Sequence, residues 1–178
     1  MLHGERITLR ARAEADVPVL HAELYNDVAV RGRADTRAWL PRPATESPFA
    51  VAAGITDAAF FSVVDDHDDL AGACELWGID GQQRSAHIGI VLRPSWRGQG
   101  LAAEAIAVLC RYAFNTLGLH RLGCETLADN IPMIKAAQKN GFTEEGRLHE
   151  AHFADGTWHD QTILGLLTHQ WRSTSAES

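Results

Sequence analysis

Short segments of alternating or continuous apolar residues recur along this chain, separated by turn-forming residues, and such segments are typical of β-strands. The dipeptide Asp80-Gly81 favours a hairpin between two of these segments. A tight turn over residues 154–157 favours a second, closing hairpin. The pattern therefore predicts strands over residues 5–10, 60–64, 70–79, 86–92, 121–127, 145–153 and 158–167.

Helical spacing of apolar residues is clearest after residue 100, where one apolar stripe ends at Gly118, a residue type that commonly terminates helices. The stripe comprises Ile106, Leu109, Cys110, Ala113, Phe114 and Leu117. Asp16 is predicted to cap a helix over residues 16–24, with Pro18 in its first turn. Further helices are expected within residues 28–40, over the alanine-rich residues 49–59 and over residues 130–139.

This order of elements predicts a layered α/β or α+β domain rather than a doubly wound parallel sheet. Antiparallel strands come first, a strand–helix–strand–helix unit follows, and a hairpin closes the chain. The length of 178 residues fits a single domain over residues 1–178, long enough to bury a sizeable core. Order is expected over about residues 4–171, and the polar tail at 172–178 is expected to fray.

Charge and cysteine content narrow the possible partners. The formal net charge is −7 and no dense block of lysine or arginine occurs, so we expect no nucleic-acid partner. An acidic surface suits a cationic amine, but net charge mainly affects solubility, and that interpretation is favoured. Cys74, Cys110 and Cys124 lie in apolar runs without metal-ligand spacing, which favours buried thiols, no metal site and a cytoplasmic location. No apolar run is long enough to span a membrane, so no membrane association is expected.

The most informative segment is the turn Arg97-Gly98-Gln99-Gly100, placed between a predicted strand and the long predicted helix. Glycines let a backbone approach an anion closely, and the first amides of a helix have no partner inside it. The helix dipole favours negative charge at the same point, so the segment predicts a site for a phosphorylated cofactor. A nucleotide-binding domain is a weaker alternative, because no Gly-Lys-Ser/Thr ending or Gly-x-Gly-x-x-Gly fingerprint with a nearby acidic partner is present.

The motif Arg97-x-x-Gly100-x-Ala102 resembles the acetyl-CoA pyrophosphate loop of the GNAT superfamily of N-acetyltransferases. Other segments resemble its RimJ/RimL branch, namely residues 4–10, Leu117-Gly118-Leu119-His120-Arg121-Leu122, Asn130, Asn140-Gly141-Phe142-x-x-Glu145-Gly146 and Asp155-Gly156-x-Trp158-x-Asp160. The resemblance implies a mixed, mostly antiparallel sheet of six or seven strands flanked by helices. Its fourth and fifth strands, residues 86–93 and 121–127, would be splayed around the pantetheine arm. Pro94 cannot donate to a sheet, so pairing is expected to fail near it.

The resemblance also implies roles for individual residues. The diphosphate would lie on the backbone amides of Arg97, Gly98, Gln99, Gly100, Leu101, Ala102 and Ala103, with added charge from Arg97. Val91 and Leu92 would present backbone groups to the pantetheine, and one N–H would polarise the thioester carbonyl. Asn130 would bind the cofactor arm, although it is also a good helix N-cap. Lys135 and Lys139 would reach the 3′-phosphate, although an exposed helix position is favoured for both.

Acyl transfer requires a neutral amine, whereas an alkyl ammonium has a pKa near about 10 and an α-amine near about 8. Glu75 and His87 are the candidate bases, and each is alternatively an ordinary outward-facing strand residue. The tyrosine that many relatives use to protonate sulfur would lie at Ala137, and the branch's frequent serine would lie at Met133. The only tyrosines, at positions 25 and 112, lie elsewhere, so the source of that proton is left open.

We therefore expect an acetyl-CoA-dependent N-acetyltransferase that modifies a primary amine of a protein N-terminus or small molecule, by direct attack on the thioester. The alternative is a CoA-binding sensor or assembly module without turnover. A homodimer is expected from the resemblance. Three residues near the closing hairpin would line the acceptor site, although a surface position is favoured for each: His149, His152 and Asp155. Four tryptophans would form part of the wall of the acceptor site, although core packing is favoured for most of them: Trp39, Trp77, Trp96 and Trp158. Trp96 is expected to be half-exposed.

Overall fold

The computed structural model describes residues 1–35, 37–51 and 54–171, and the predicted polar tail at 172–178 lies outside this part of the chain. Within it, eight strands form one sheet in the order β1-β2-β3-β4-β5-β6-β8-β7. The strands are β1 (Leu2–His3), β2 (Ile7–Ala11), β3 (Ala58–Asp65), β4 (Leu70–Asp80), β5 (Ser85–Leu92), β6 (Arg121–Leu127), β7 (Thr143–Ala154) and β8 (Thr157–Leu167). The helices are α1 (Val17–Leu20), α2 (Val28–Ala34), α3 (Leu101–Arg111) and α4 (Ile131–Lys139). Single π-helical turns over His21–Tyr25 and Tyr112–Thr116 extend α1 and α3.

The layered, mostly antiparallel architecture predicted from the sequence is confirmed, but the number of strands is not. The described residues form eight strands rather than six or seven, because the two-residue β1 pairs with β2 at the edge of the sheet. Every neighbouring pair is antiparallel except β5 and β6, which run parallel. Parallel neighbours need a crossover connection, and α3 provides it.

The expected splay is present between β5 and β6. These strands pair only over Ser85–His87 and Arg121–Gly123, and beyond that point they diverge. Pairing fails near Pro94 as expected, because β5 stays paired with β4 as far as Leu92 and the Arg93 N–H makes the last bond, to the Ala71 carbonyl at 2.9 Å. Pairing with β6 is lost earlier, after His87, so the splay begins well before Pro94. The divergence leaves one edge of β5 open without interrupting the other.

One face of the central sheet packs against α3 and forms the main core. On β4 and β5 this face carries Cys74, Leu76, Ala86 and Ile88, all buried. They share a core cluster with Ile106, Leu109 and other residues of the apolar stripe predicted for α3. The alternation along these strands follows from the two-residue period of a strand.

The opposite face carries Glu75, Trp77, His87 and Gly89, because Glu75 pairs with Gly89 and Trp77 pairs with His87. The N-terminal helical segment covers part of this face, since Leu20 and Leu24 form a small buried cluster with Ala73 of β4. The chain therefore places its two candidate bases on one side of the sheet and α3 on the other.

Of three predictions about the N-terminal third, two are wrong and one is confirmed. The helix expected at 49–59 is absent from the residues described there: Ala50 closes a turn on Ser47, Gly54 has a φ of 82°, and β3 begins at Ala58. The second helix, Val28–Ala34, lies within the range predicted for it. Asp16 precedes α1 but makes no side-chain cap, because its carboxylate is held elsewhere.

Candidate functional site

The glycine turn adopts the conformation that an anion site needs. Gly98 and Gly100 have φ values of 76° and 80°, in the left-handed region that favours glycine, and α3 begins directly at Leu101. Residues 97–100 are exposed. Within the described residues, the backbone N–H groups of 98–103 donate to no protein acceptor, whereas the Glu104 N–H bonds back to the Gly100 carbonyl. A row of free amides at a helix start is well suited to bind a diphosphate.

A second segment braces this turn, and sequence reasoning missed it. The Arg6 guanidinium donates to the Gln99 carbonyl at 3.0 Å, and Arg6 Nε donates to Glu104 Oε2 at 3.1 Å. Glu104 also accepts the backbone N–H groups of Glu5 and Arg6, each at 2.6 Å. Burial alone would raise the pKa of Glu104, but these hydrogen bonds outweigh it and lower that pKa. The turn thus gains a nearby cation, while the ionised Glu104 carboxylate in the first turn of α3 is paired with Arg6.

The end of α4 is tied to the same turn. Asn140 Nδ2 donates to the Ala103 carbonyl at 2.8 Å and to the Ala136 carbonyl at 2.9 Å. The predicted Asn140-Gly141 stop therefore also joins α4 to the first turn of α3. Lys139 precedes this junction and is exposed, as is Lys135. The proposed role of Lys139 in phosphate binding stays a prediction.

The open edge of β5 presents backbone groups to the cleft, but not those of Val91. The register pairs Ala73 with Val91, and the hydrogen-bonded Ala71–Arg93 pair makes Ala73–Val91 a hydrogen-bonded pair as well. The Val91 N–H and C=O consequently point to β4. The alternate residues Ile90 and Leu92 direct theirs toward β6, and Arg97 Nε donates to the Leu92 carbonyl at 2.9 Å. The assignment of Val91 is therefore corrected to Ile90, while that of Leu92 is retained.

Asn130 is the N-cap of α4, as one of its two interpretations predicts. Its side-chain oxygen accepts the Met133 N–H at 3.4 Å, and its Nδ2 donates to Thr126 Oγ1 at 2.9 Å. Binding of the cofactor arm by Asn130 stays a prediction. Ala137, the position at which the resemblance implies a tyrosine in many relatives, is fully buried. The Tyr25 hydroxyl donates its proton in a hydrogen bond to the Leu40 carbonyl at 2.6 Å.

A cavity rich in arginine lies on the Glu75 face of the sheet, and we call it the arginine-lined cavity. Its charged lining residues are Arg12, Arg31, Asp35, Arg37 and Glu75. Its remaining lining residues are Leu24, Ala34, Pro48, Phe49, Ala73, Cys74, Gly89, Ile90 and Val91. Because Ile90 lines this cavity and also faces the β5–β6 cleft, the cavity and the cleft meet at β5.

Glu75 is positioned for proton chemistry. A Cβ added at Gly89 would lie 3.1 Å from Glu75 Cγ, so the glycine leaves room for the carboxylate side chain. Burial raises the pKa of Glu75, and the charges of Arg12 and Arg37 oppose that rise. A partly desolvated carboxylate in a cavity is typical of a functional base.

His87 lies on the same face but outside the described lining of the arginine-lined cavity. Its ring stacks on Trp77 with centroids 4.4 Å apart, and its Nδ1 lies 3.7 Å from Glu125 Oε1. A Cβ at Gly123 would lie 2.8 Å from His87 Nδ1, so this glycine makes space for the imidazole. His87 is the last β5 residue paired with β6, which places it where the cleft begins.

The burial of residues in the closing hairpin and of the tryptophans agrees only in part with the predictions. His152 is buried rather than on the surface, because its Nε2 lies 2.7 Å from the Gly32 carbonyl oxygen of α2. His149 and Asp155 are exposed, as favoured. Trp158 and Trp77 are exposed rather than packed in the core, at 58% and 41%. Trp39 and Trp96 are partly buried.

The three cysteines are buried, as the sequence predicts. Cys74, Cys110 and Cys124 are buried free thiols, and burial raises the pKa of both Cys110 and Cys124 to about 12. Among the described residues, no group of three or more His, Cys, Asp or Glu side chains is arranged to hold a metal ion. No helix in that part of the chain is both long and apolar enough to cross a bilayer.

Together, these features define an α/β protein with a glycine turn of unpaired amides beside a cleft between two splayed strands. Comparison with known proteins gives the family. Residues 6–143 match the family described as Acetyltransferase (GNAT) domain, and the chain belongs to it.

Individual relatives agree with this assignment. Probable N-acetyltransferase YjcK of Bacillus subtilis is 32% identical over 101 residues, 56% of this chain and 56% of the relative. Spermidine N(1)-acetyltransferase of Vibrio cholerae is 30% identical over 115 residues, 65% of this chain and 66% of the relative. The chain thus spans about 56% to 66% of the length of these curated relatives. The crystal structure of Vibrio cholerae spermidine N-acetyltransferase with CoA and spermine matches with a TM-score of 0.86 and 26% identity, covering 94% of this chain and 99% of that one.

Proposed function

We propose that this chain transfers an acetyl group from acetyl-CoA to a primary amine, by direct attack of the amine on the thioester. The observation that carries the proposal is the row of free amides at the start of α3, beside the splayed strands β5 and β6. Membership of the acetyltransferase family supports it, as does the similarity to a spermidine acetyltransferase solved with CoA. Acetyl-CoA supplies the activated acyl group.

The backbone would hold the CoA chain at two places. The amides of 98–103 would bind the diphosphate, with Arg6 and Arg97 adding positive charge nearby. The outward-facing N–H groups of Ile90 and Leu92 would bind the pantetheine as an added strand does, and one of them would stabilise the oxyanion. Asn130 and Lys139 are retained as secondary contacts.

Glu75 is our first choice for the general base, because it lines the arginine-lined cavity and its pKa is raised. An ammonium cannot attack, so the base must take its proton before or during attack. His87 is the second choice, since it lies at the start of the cleft but outside the described cavity lining. The departing thiolate would take its proton from solvent or substrate; its pKa near about 8.5 makes it a good leaving group.

Several broader features belong to the same proposal. The motifs support a place in the RimJ/RimL branch of the family, and one sheet built from Leu2 to Leu167 supports a single catalytic domain. Small amines are the first acceptors to test, because a similar protein acts on spermidine. A cytoplasmic location and a homodimer are retained as predictions.

The competing function is a CoA-binding module without turnover, favoured by the buried Ala137 in place of a tyrosine. Calorimetric titration with CoA and a thiol-release assay over a broad amine panel separate the two. Binding together with thiol release supports the enzyme. Tight binding without thiol release from any amine supports the module, and the absence of CoA binding contradicts both.

The isosteric variants Glu75→Gln and His87→Gln identify the base. We expect Glu75→Gln to abolish the acidic limb of the kcat/KM profile and to lower the rate by about 100-fold or more. His87→Gln should retain that limb. CoA affinity measured by titration is the control for folding in both variants. An unchanged pH profile in the Glu75 variant would show that the assignment is wrong.

A further inference from the structure

The arginine-lined cavity contains more positive than negative charge. Three guanidinium groups, from Arg12, Arg31 and Arg37, face two carboxylates, from Asp35 and Glu75. Arginine stays protonated in proteins, so the three positive charges are permanent. The balance is +1 when Glu75 is ionised and +2 when Glu75 holds a proton. The charge of a cavity selects among acceptor amines.

The Asp35 carboxylate is already paired with arginines and does not offer an unshared negative charge to a substrate ammonium. Its Oδ2 lies 2.5 Å from Arg31 Nη1 and 2.6 Å from Arg37 Nη2. The Arg37 backbone N–H also donates to Asp35 Oδ1 at 2.8 Å. Burial alone would raise the pKa of Asp35, but its hydrogen bonds to Arg37 and Arg31 lower that pKa to about 2. The carboxylate is therefore ionised at neutral pH and already paired with two cations.

Two arginines of the cavity keep a donor without an acceptor. The Nε atoms of Arg12 and Arg31 are buried and form no hydrogen bond among the described residues. The Arg31 side chain is nine-tenths buried, with an exposed fraction of 10%. These Nε atoms are closed to solvent, so an anionic group of a substrate would instead pair with the charge of the two guanidinium groups, whose residues line the cavity.

The rest of the Arg12 guanidinium is held firmly. Its Nη1 donates to the Phe49 carbonyl and its Nη2 to the Phe61 carbonyl, both at 3.2 Å. Its charged end lies over the rings of Phe49 and Phe60, 5.7 Å and 5.5 Å from their centroids. Arg12 is therefore a fixed cation beside Glu75 rather than a mobile surface charge.

We propose that the acceptor is a small primary amine that also carries a carboxylate, bound with its anionic group toward Arg12 and Arg31 and its amine toward Glu75. This inference rests on the proposed function. A polyamine brings two or more positive charges to a cavity that already has an excess of them, where Glu75 is the one unshared carboxylate among the described lining residues. An amino acid brings one ammonium and one carboxylate, which match Glu75 and the excess positive charge of the wall.

The test uses the whole protein with acetyl-CoA and a thiol-release readout on matched acceptors. Each amino acid is compared with the amine left when its carboxylate is removed: alanine with ethylamine, leucine with isoamylamine, phenylalanine with phenethylamine, ornithine with putrescine. 4-Aminobutyrate paired with propylamine tests a carboxylate farther from the amine. Spermidine and a peptide with a free N-terminus but no carboxylate complete the panel. For at least one pair we expect kcat/KM to be about tenfold or more higher with the carboxylate, as one charge-assisted hydrogen bond provides.

Two variants locate the effect. Arg12→Gln should reduce that carboxylate preference by about tenfold, through the acceptor KM, while leaving the KM for acetyl-CoA unchanged. Since Arg12 is part of the packed wall, Arg37→Gln at the exposed rim serves as a second variant, with a smaller loss of preference expected. Calorimetric binding of CoA shows that each variant is folded.

The outcomes separate this inference from the proposed function. Transfer to a carboxylate-bearing amine, with the preference lost in the Arg12 variant, supports the inference. Best transfer to spermidine, to a decarboxylated amine or to the neutral peptide overturns it while leaving acetyl transfer intact. A preference that survives both substitutions overturns the assignment to these arginines. Binding of CoA without transfer to any acceptor contradicts the proposed function itself.

Discussion

The glycine turn predicts a measurable difference between two nearly identical substitutions, Gly100→Glu and Gly100→Gln. Gly100 has a φ of 80° and ψ of 0°, so either side chain carries the same left-handed strain, about 1 kcal/mol of folding stability. The site has space, since the nearest atom to an added Cβ is Arg6 Nη2 at 3.5 Å. Both variants should therefore fold, with similar melting temperatures slightly below that of the parent.

Only the charge differs between them. A carboxylate about 6 Å from each of two phosphate charges costs roughly 0.7 kcal/mol per pair in water, about 1.4 kcal/mol in all, which is tenfold in the dissociation constant of CoA. This value applies at low salt, because ions screen exposed charges. The new carboxylate can also pair with Arg6, whose guanidinium bonds to Gln99, and so withdraw that positive charge from the loop.

Titration calorimetry with CoA measures both variants at low and moderate salt. We expect the Glu variant to bind at least about tenfold more weakly than the Gln variant at low salt, with the gap narrowing as salt screens the charges. Equal affinities for the two variants, with parent-like melting behaviour, would refute the placement of the diphosphate on this turn. A loss of binding in both variants would show that bulk, rather than charge, governs access.

Further predictions concern the scaffold. Arg10 holds the Asp16 carboxylate and lowers its pKa to about 2. This should contribute roughly 2 kcal/mol to the free energy of unfolding above pH 3.8, and the contribution should be lost as the pH falls toward 2. Urea unfolding of the parent and of Asp16→Asn across this pH range measures it. Gly72→Ala would force a Cβ against the Val91 carbonyl oxygen and to 2.9 Å from Leu92 Cα, and should cost about 3 kcal/mol in chemical denaturation. Gly32→Ala, in α2 with nothing within 4 Å of the added Cβ, should instead stabilise by up to about 1 kcal/mol, and a destabilising result would contradict the open environment.

The parts predicted well from the sequence are those set by neighbouring residues. The turn before α3 needs two left-handed positions, and glycine supplies both. Asn130 is followed by a helix whose first amides need an acceptor, so its capping role is evident locally. Turn and cap interactions of this kind depend on neighbouring residues and not on the rest of the fold.

The errors arise where distant residues decide the local structure. Alanine content favours a helix at 49–59, but the Phe49 carbonyl accepts a hydrogen bond from Arg12, and its ring lies under the same guanidinium. Asp16 suits a helix cap, but its carboxylate is held by Arg10 and by the Ser62 hydroxyl of β3. In both cases a partner across the sheet outweighs a modest local preference.

The choice between Ile90 and Val91 illustrates a different limit. Both residues lie on the strand whose edge faces the cleft, and their local sequence is equally apolar. Which one directs its N–H outward depends on the hydrogen-bonded register with β4, fixed here by the Ala71–Arg93 pair. A shift of one residue would exchange the two roles, so the backbone contact follows from pairing and not from residue type.

The arginine-lined cavity is built from arginines that, taken singly, give no sign in the sequence of a common site. Arg12 follows a strand, Arg31 lies in a short helix and Arg37 lies in a loop, and each resembles an ordinary solvated charge in the sequence. The sheet register positions Arg12: its backbone N–H bonds to the Phe60 carbonyl, Phe60 pairs with Glu75, and Glu75 pairs with Gly89. This single row across four strands places a fixed cation next to the candidate base. The charge preference proposed above would therefore depend in part on strand pairing.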